Sequence, residues 1–398
     1  MTNKEIMELT KRVIIPSYKR YPVAIVRGRG HTVWDADGNE YLDFASAFGT
    51  SNVGHCHPRV VEAITHQAEK LLHVCNLYHI EEQARLAEML VERSFAEQAF
   101  FCNSGAEANE AAIKLARKVS HDRFGPGRHT IICMEGAFHG RTMATLSATG
   151  MDALKEGFAP LLGGFAFAPF NDVGSVEAAI DGTTCAVMVE PIQGVGGVIM
   201  PGADYLRDLK TLCEARDLLL IFDEIQTGIG RTGHLFAYEA FGAPPHIMTI
   251  SKSLGGGLPI GAMLTTSDLA EHLGPGTHAS TFGGNSLACA AAIAVLEIME
   301  TDQLLLNCRK VGAYFEEALG DLKESHPAVK EIRGLGLMQA VELDRETHPF
   351  VMKALEQGVI IDSAAKTAFR LLPPLTIGEV EVDRLCRLLD ELLTEAEA

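Results

Sequence analysis

Six short apolar runs recur through the middle of the chain, at residues 99–102, 130–134, 186–190, 218–223, 247–250 and 260–264. Runs of this length that stay apolar, instead of alternating with polar residues, fit strands buried on both faces. Stretches of helical pattern lie between them: 106–119 is rich in Ala, Glu and Lys, 205–216 has apolar residues at helical spacing, and 284–300 is rich in Ala and Leu. Strands and helices alternating in this way predict an α/β fold with a mainly parallel sheet covered on both faces.

The texture changes at both ends. Residues 23–43 read as short strands around an Asp37-Gly38 turn, an antiparallel hairpin. After about Cys308, residues 331–343 and 369–375 read as strands among helices. At 398 residues the chain exceeds the roughly 300 at which single cores stop growing. The expected division is a large α/β domain at 52–299 and a smaller α+β domain built from 1–51 together with 300–398. No internal repeat or low-complexity tract interrupts it.

With 34 basic and 52 acidic side chains the net charge is −18, which disfavours nucleic acid or an anionic membrane as a principal partner. The best apolar run, 288–296, is far shorter than the roughly 18 residues of a membrane span and reads as a buried helix. Lys4, Glu5, Glu8, Lys11 and Arg12 leave no signal-peptide segment near the N-terminus, so the expected location is cytoplasmic. Nine scattered cysteines without a Cys-x-x-Cys pair read as reduced core residues. His55-Cys56-His57 has no second ligand group at suitable spacing, and no metal is expected.

The chemistry begins with Lys252, which sits before Leu254-Gly255-Gly256-Gly257, and Asp223, which ends the run at 218–223. Together they point to pyridoxal 5'-phosphate: an amine to condense with the cofactor's aldehyde, and a carboxylate to keep its pyridine nitrogen protonated. Ser104, Gly105 and Ala106 lie between a strand and a helix, where unpaired backbone N–H groups can seat a phosphate. Ser104 and Glu107 also have the spacing of a capping box, and the two readings coexist. The Asp223-Glu224 strand end resembles that of an ATPase, but no Gly-Lys pair supplies the matching phosphate loop. Gly228-Ile229-Gly230-Arg231-Thr232-Gly233 matches a dinucleotide fingerprint in form only, since it starts several residues beyond the strand, and it reads as a loop. Phe138 can stack on a planar cofactor or belong to the core, and Arg141 can hold a carboxylate or lie on the surface. Residues 277–285 are a polar turn whose Ser280 and Thr281 hydroxyls can bind phosphate or substrate.

Six segments in order, Ser104-Gly105-Ala106-Glu107-Ala108-Asn109, Phe138-His139-Gly140-Arg141-Thr142, Glu190-Pro191-Ile192-Gln193-Gly194, Phe222-Asp223-Glu224-Ile225-Gln226, Ser251-Lys252 and Ser280-Thr281-Phe282-Gly283-Gly284-Asn285, resemble the class III aminotransferases. Leu42-Asp43-Phe44, Gly54-His55-Cys56-His57-Pro58 and Arg333-Gly334-Leu335-Gly336 extend the resemblance over essentially the whole chain. It implies a fold type I pyridoxal phosphate transferase, with a mainly parallel seven-stranded sheet in the large domain, working as a homodimer. Within the family, the chain is most similar to members acting on acetylated ornithine. The implied reaction moves the ω-amino group of N2-acetyl-L-ornithine to 2-oxoglutarate. The alternatives are another ω- or β-amino acid transaminase, of the ornithine, 4-aminobutyrate or alanine/glyoxylate type, and an aminomutase of the glutamate-1-semialdehyde kind.

By the same resemblance Lys252 would hold the cofactor and, once displaced, carry the proton between the substrate carbon and the cofactor's C4′. Asp223 would face the pyridine nitrogen, Phe138 would stack on the ring and Gln226 would meet its hydroxyl. Glu224 and Ile225 lie in the same cofactor-binding segment. Gly105 and Ala106 would bind phosphate beside Ser104, with Thr281 supplied by the other subunit. Arg141, with Ser280 near it, would take the carboxylate of the acylated ornithine, and Arg370 the α-carboxylate of glutamate or 2-oxoglutarate. The chain departs from the family at Val195, where relatives commonly carry a glutamate that pairs with the arginine matching Arg370. Arg370 is therefore expected unpaired unless another acid replaces that glutamate.

Overall fold

The computed structural model describes residues 1–397. Strands β1 (Ile25–Arg29), β2 (Thr32–Asp35) and β3 (Glu40–Asp43) open the chain. The centre supplies β4 (Gln98–Cys102), β5 (Thr130–Met134), β6 (Phe165–Ala168), β7 (Thr184–Val189), β8 (Leu219–Asp223), β9 (Ile247–Ile250) and β10 (Gly261–Thr265). The C-terminal part adds β11 (Val329–Leu335), β12 (Met338–Leu343), β13 (Val359–Ile360), β14 (Asp362–Ala364) and β15 (Ala368–Leu371).

The central strands form one seven-stranded sheet in the order β4-β10-β9-β8-β7-β5-β6. Strands β5 to β9 pair in parallel, and β10 runs antiparallel to both β4 and β9. Every residue of β7, β8, β9 and β10 is buried, as strands covered on both faces must be. Each apolar run became a strand of this sheet. The pattern misses β6, a partly exposed Phe-Ala-Phe-Ala edge strand paired only with β5. Its four residues are as apolar as the runs read as strands, and it is passed over although edge strands are commonly this short.

Helix Gly105–Phe124 starts at Ser104, whose hydroxyl accepts the Glu107 amide at 3.2 Å. Its buried face carries Ala108, Ala111, Ala112 and Ala116, small enough to lie close against the sheet. Helix Ser286–Thr301 is buried along most of its length against helices Pro58–Lys70 and Glu81–Val91, which explains its nearly uniform apolar composition. No helix among the described residues is long and apolar enough to cross a membrane.

Two smaller sheets come from the chain ends. In one, β1, β2 and β3 are antiparallel and β13 joins β3 in parallel, with Val359 opposite Leu42. The other, β11-β12-β15-β14, is antiparallel throughout. The turn between β2 and β3 holds Gly38 at φ +92°, a left-handed value that glycine adopts without steric strain.

Candidate active site

The parallel strands end along one edge of the central sheet, where ligands of open α/β sheets bind. Asp223 closes β8, Glu190 follows β7, residues 135–142 follow β5, and Ser251 and Lys252 follow β9. They enclose a cavity of about 280 Å³ whose walls include Gly105, Ala106, Phe138, Arg141, Ile225 and Gln226. A larger, open hollow near Glu92 and Leu235 has no comparable constellation.

Asp223 is fixed by three neighbours. Its Oδ2 accepts Asn109 Nδ2 at 2.7 Å and lies 2.8 Å from His139 Nδ1, while Oδ1 accepts the Ile225 amide at 3.1 Å. The Thr249 hydroxyl donates to Asn109 Oδ1 at 2.7 Å, which turns the Asn109 amide nitrogen toward the carboxylate. Asp223, His139, Asn109 and Thr249 are all buried, so the network holds one geometry. The motif resemblance gives Asn109 and His139 no role; the packing of a helix and a loop against the end of β8 does.

Lys252 opens a short 3₁₀ turn, Lys252–Gly255, at φ +34°. A non-glycine residue in the left-handed region is strained, and such strain concentrates at functional sites. Burial, and then the Arg370 guanidinium, lower its amine to about 8, against the opposing pull of Asp223 and Glu190. Such an amine is neutral and nucleophilic in a useful fraction of molecules near neutral pH. Glu190 is pushed up to about 7, chiefly by burial. Its carboxylate accepts the Phe138 amide at 2.9 Å and the Gly194 amide at 3.2 Å, fixing the loop that presents Phe138.

At the cavity mouth the Arg141 guanidinium lies 5.5 Å from the centre of the Phe138 ring. A Cβ on Gly105 would come within 2.7 Å of Ile225, so glycine keeps the first turn of helix Gly105–Phe124 clear. The amides there lack helical partners and can take an anion.

Arg370 is buried, and it is paired. It stands opposite Asp362 in the β14–β15 register, and Asp362 Oδ2 accepts from its Nε at 3.0 Å and its Nη2 at 2.5 Å. Its Nη1 lies 3.4 Å from Gln226 Oε1, and its guanidinium carbon is 5.4 Å from the Phe48 ring. The other acid that the expectation allowed for is Asp362, on the neighbouring strand, so Arg370 is paired although Val195 brings no carboxylate.

Other expected residues are placed differently. Glu224 turns its carboxylate away from the cavity, accepting the amides of Ala237 and Tyr238 at 2.7 and 2.8 Å, because successive strand-end residues point to opposite sides. The Ser104 hydroxyl is occupied as a helix cap. Ser280 and Thr281 line a separate open hollow with Asn76 and Phe101, and the Ser280 hydroxyl accepts Asn103 Nδ2 at 3.1 Å. His55 and His57 diverge to different acids, Asp43 at 2.7 Å and Asp302 at 3.7 Å.

A nucleophilic amine, an oriented buried carboxylate, an aromatic wall and an open helix start together fit pyridoxal phosphate. Fold and site define a fold type I pyridoxal phosphate enzyme. The aminotransferase class-III family model matches residues 14–393, and the chain belongs to that family. It is 49% identical to the acetylornithine aminotransferase of Caldanaerobacter subterraneus subsp. tengcongensis over 97% of this chain and 98% of that protein. The enzyme of the same name from Methanocaldococcus jannaschii is 46% identical over 99% of each. Among solved structures, ornithine aminotransferase from Toxoplasma gondii matches with a TM-score of 0.96 at 35% identity, over 100% of this chain and 96% of that one. Acetylornithine aminotransferase from Elizabethkingia anophelis matches at 0.89 and 31%, over 99% and 100%. The protein is a pyridoxal phosphate-dependent transaminase.

Proposed function

We propose that the enzyme transfers the ω-amino group of N2-acetyl-L-ornithine to 2-oxoglutarate, giving N-acetyl-L-glutamate 5-semialdehyde and L-glutamate, a step of arginine biosynthesis. Its full-length likeness to proteins named for that substrate carries the choice.

When bound, pyridoxal phosphate supplies an aldehyde that accepts the amino nitrogen and a ring that withdraws electrons from the substrate carbon. Lys252 anchors it through its lowered amine and, once displaced, moves the proton at the substrate carbon. Asp223, held by Asn109 and His139, keeps a proton on the ring nitrogen. Phe138 and Gln226, both on the cavity wall, would hold the cofactor's ring. The backbone of Gly105 and Ala106 binds the phosphate. Arg141 takes the carboxylate of the acylated donor, and Arg370 that of the 2-oxoacid.

Thr281 serves the phosphate of a second subunit in a homodimer. Support comes from exposed Leu77 on the wall of the same hollow and from exposed Leu72, Tyr78 and Phe282 close to its lining residues in sequence, which a second copy would cover. Residues 52–299 carry the cofactor, and 1–51 with 300–398, the last residue of which lies outside the described residues, make up the smaller domain. A cytoplasmic setting suits the nine cysteines, all unpaired.

A panel of acetylornithine, ornithine, 4-aminobutyrate, β-alanine and alanine, each with 2-oxoglutarate or pyruvate, tests the reading. Acetylornithine with 2-oxoglutarate should give the highest kcat/KM and parallel ping-pong lines. Acetylornithine turned over no better than alanine overturns the substrate choice. Turnover of one substrate without any 2-oxoacid makes the enzyme an aminomutase.

A further inference from the structure

Arg370 and Asp362 are partners in the backbone as well as through their side chains. They face each other directly across the antiparallel pair β14–β15, so their side chains rise from the same face of one sheet. Both are largely enclosed, with side chains 6% and 14% exposed. In such surroundings a charge pair is held strongly, and separating it leaves two buried charges unmatched. The contact is also lopsided. Nε and Nη2 both go to one oxygen of Asp362, while Nη1 has only the 3.4 Å approach of Gln226, a residue of the cavity wall. The Phe48 ring lies near the guanidinium carbon. Val195, also on the cavity wall, brings no charge.

We propose that Asp362 is a specificity-determining residue: a fixed counter-ion that holds Arg370 in place and limits how strongly it takes a substrate carboxylate. The proposal rests on the transaminase reading and on Arg370 as a carboxylate anchor. An acid on a loop can swing aside and free the whole guanidinium edge. The backbone of Asp362 is held by its strand pairing, so only its short side chain can turn, within reach of Arg370. An incoming carboxylate therefore meets an arginine whose Nε–Nη2 edge is engaged and whose charge is already matched. It binds at the Nη1 corner beside Gln226, with one oxygen, instead of through the two parallel bonds an open guanidinium offers. The lone carboxylate at 362 thus sets a ceiling on 2-oxoacid affinity. It also leaves the arginine's end of the site close to neutral while the amino donor is bound.

Glutarate, an unreactive dicarboxylate, is the probe, and its binding to the cofactor-loaded protein is measured by titration calorimetry. Asp362→Asn removes the matching charge and weakens the hold on the guanidinium edge, and should tighten glutarate by about fivefold or more, with a steeper dependence on salt. Affinity unchanged or weakened overturns the proposal. If that variant does not fold, the double variant Arg370→Gln/Asp362→Asn removes both charges at once, the change a buried pair tolerates best. An arginine limited to one contact contributes about a single hydrogen bond, so the double variant should bind glutarate within about tenfold of the unaltered protein. A larger loss means that Arg370 was fully available and that Asp362 is no ceiling. Glutarate binding as expected in a protein that fails to transfer an amino group would sink the transaminase reading alone. Transamination with no response to Asp362→Asn would sink only the role of the pair.

Discussion

Lys252 has the most direct acid-base consequence of any single residue. Its folded pKa lies near 8, below the ordinary lysine value of 10.5, because burial and Arg370 disfavour the charged amine. The neutral fraction therefore grows as pH rises to about 8 and then levels off. Uptake of pyridoxal phosphate by the cofactor-free protein, followed by absorbance, should accelerate about tenfold per pH unit below that point and flatten above it. A rate still climbing at pH 10 would mean that the lysine is unshifted. Lys252 and Asp223 were legible in the sequence because the cofactor's chemistry demands an amine and a carboxylate in those settings. Asn109, His139 and Asp362 were not, since each matters through a partner brought near by folding. Asp362 did leave a trace: a hairpin closing at 365–367 sets position 362 opposite 370.

At the scale of elements, the continuous apolar runs located the inner strands, because burial on both faces leaves no room for polar residues. Strand β6 was passed over although its four residues are apolar, and the start of helix Gly105–Phe124 was readable from the Ser104–Glu107 spacing. The segment 277–285 shows where local pattern ends. Its polar turn was visible, but in one chain it lines a hollow apart from Lys252, and its service to the phosphate of another subunit is a proposal. Hybrids of Lys252→Ala and Thr281→Val subunits test this. With Thr281 acting across the interface, each hybrid dimer has one site with both defects and one intact site, and activity should reappear on mixing. No recovery, with Thr281→Val alone severely impaired, would keep Thr281 within its own subunit's site.

For the whole molecule, one sheet gathers the ends of separate strands around a single cavity, so both half reactions must use the same lysine. The fold class was readable from the alternation of strands and helices, and the reaction from the order of motifs. The environment of Arg370 was not, because the three-residue strand Asp362–Ala364 carries no apolar run to mark it. The most direct test of the central claim adds N2-acetyl-L-ornithine alone to the pyridoxal phosphate-loaded protein and follows its visible absorbance. The absorbance should fall once, with one semialdehyde released per site, and 2-oxoglutarate should restore it; Lys252→Ala should show neither change. An absorbance that the donor leaves untouched, or a full cycle in Lys252→Ala, would contradict a transaminase working through this lysine.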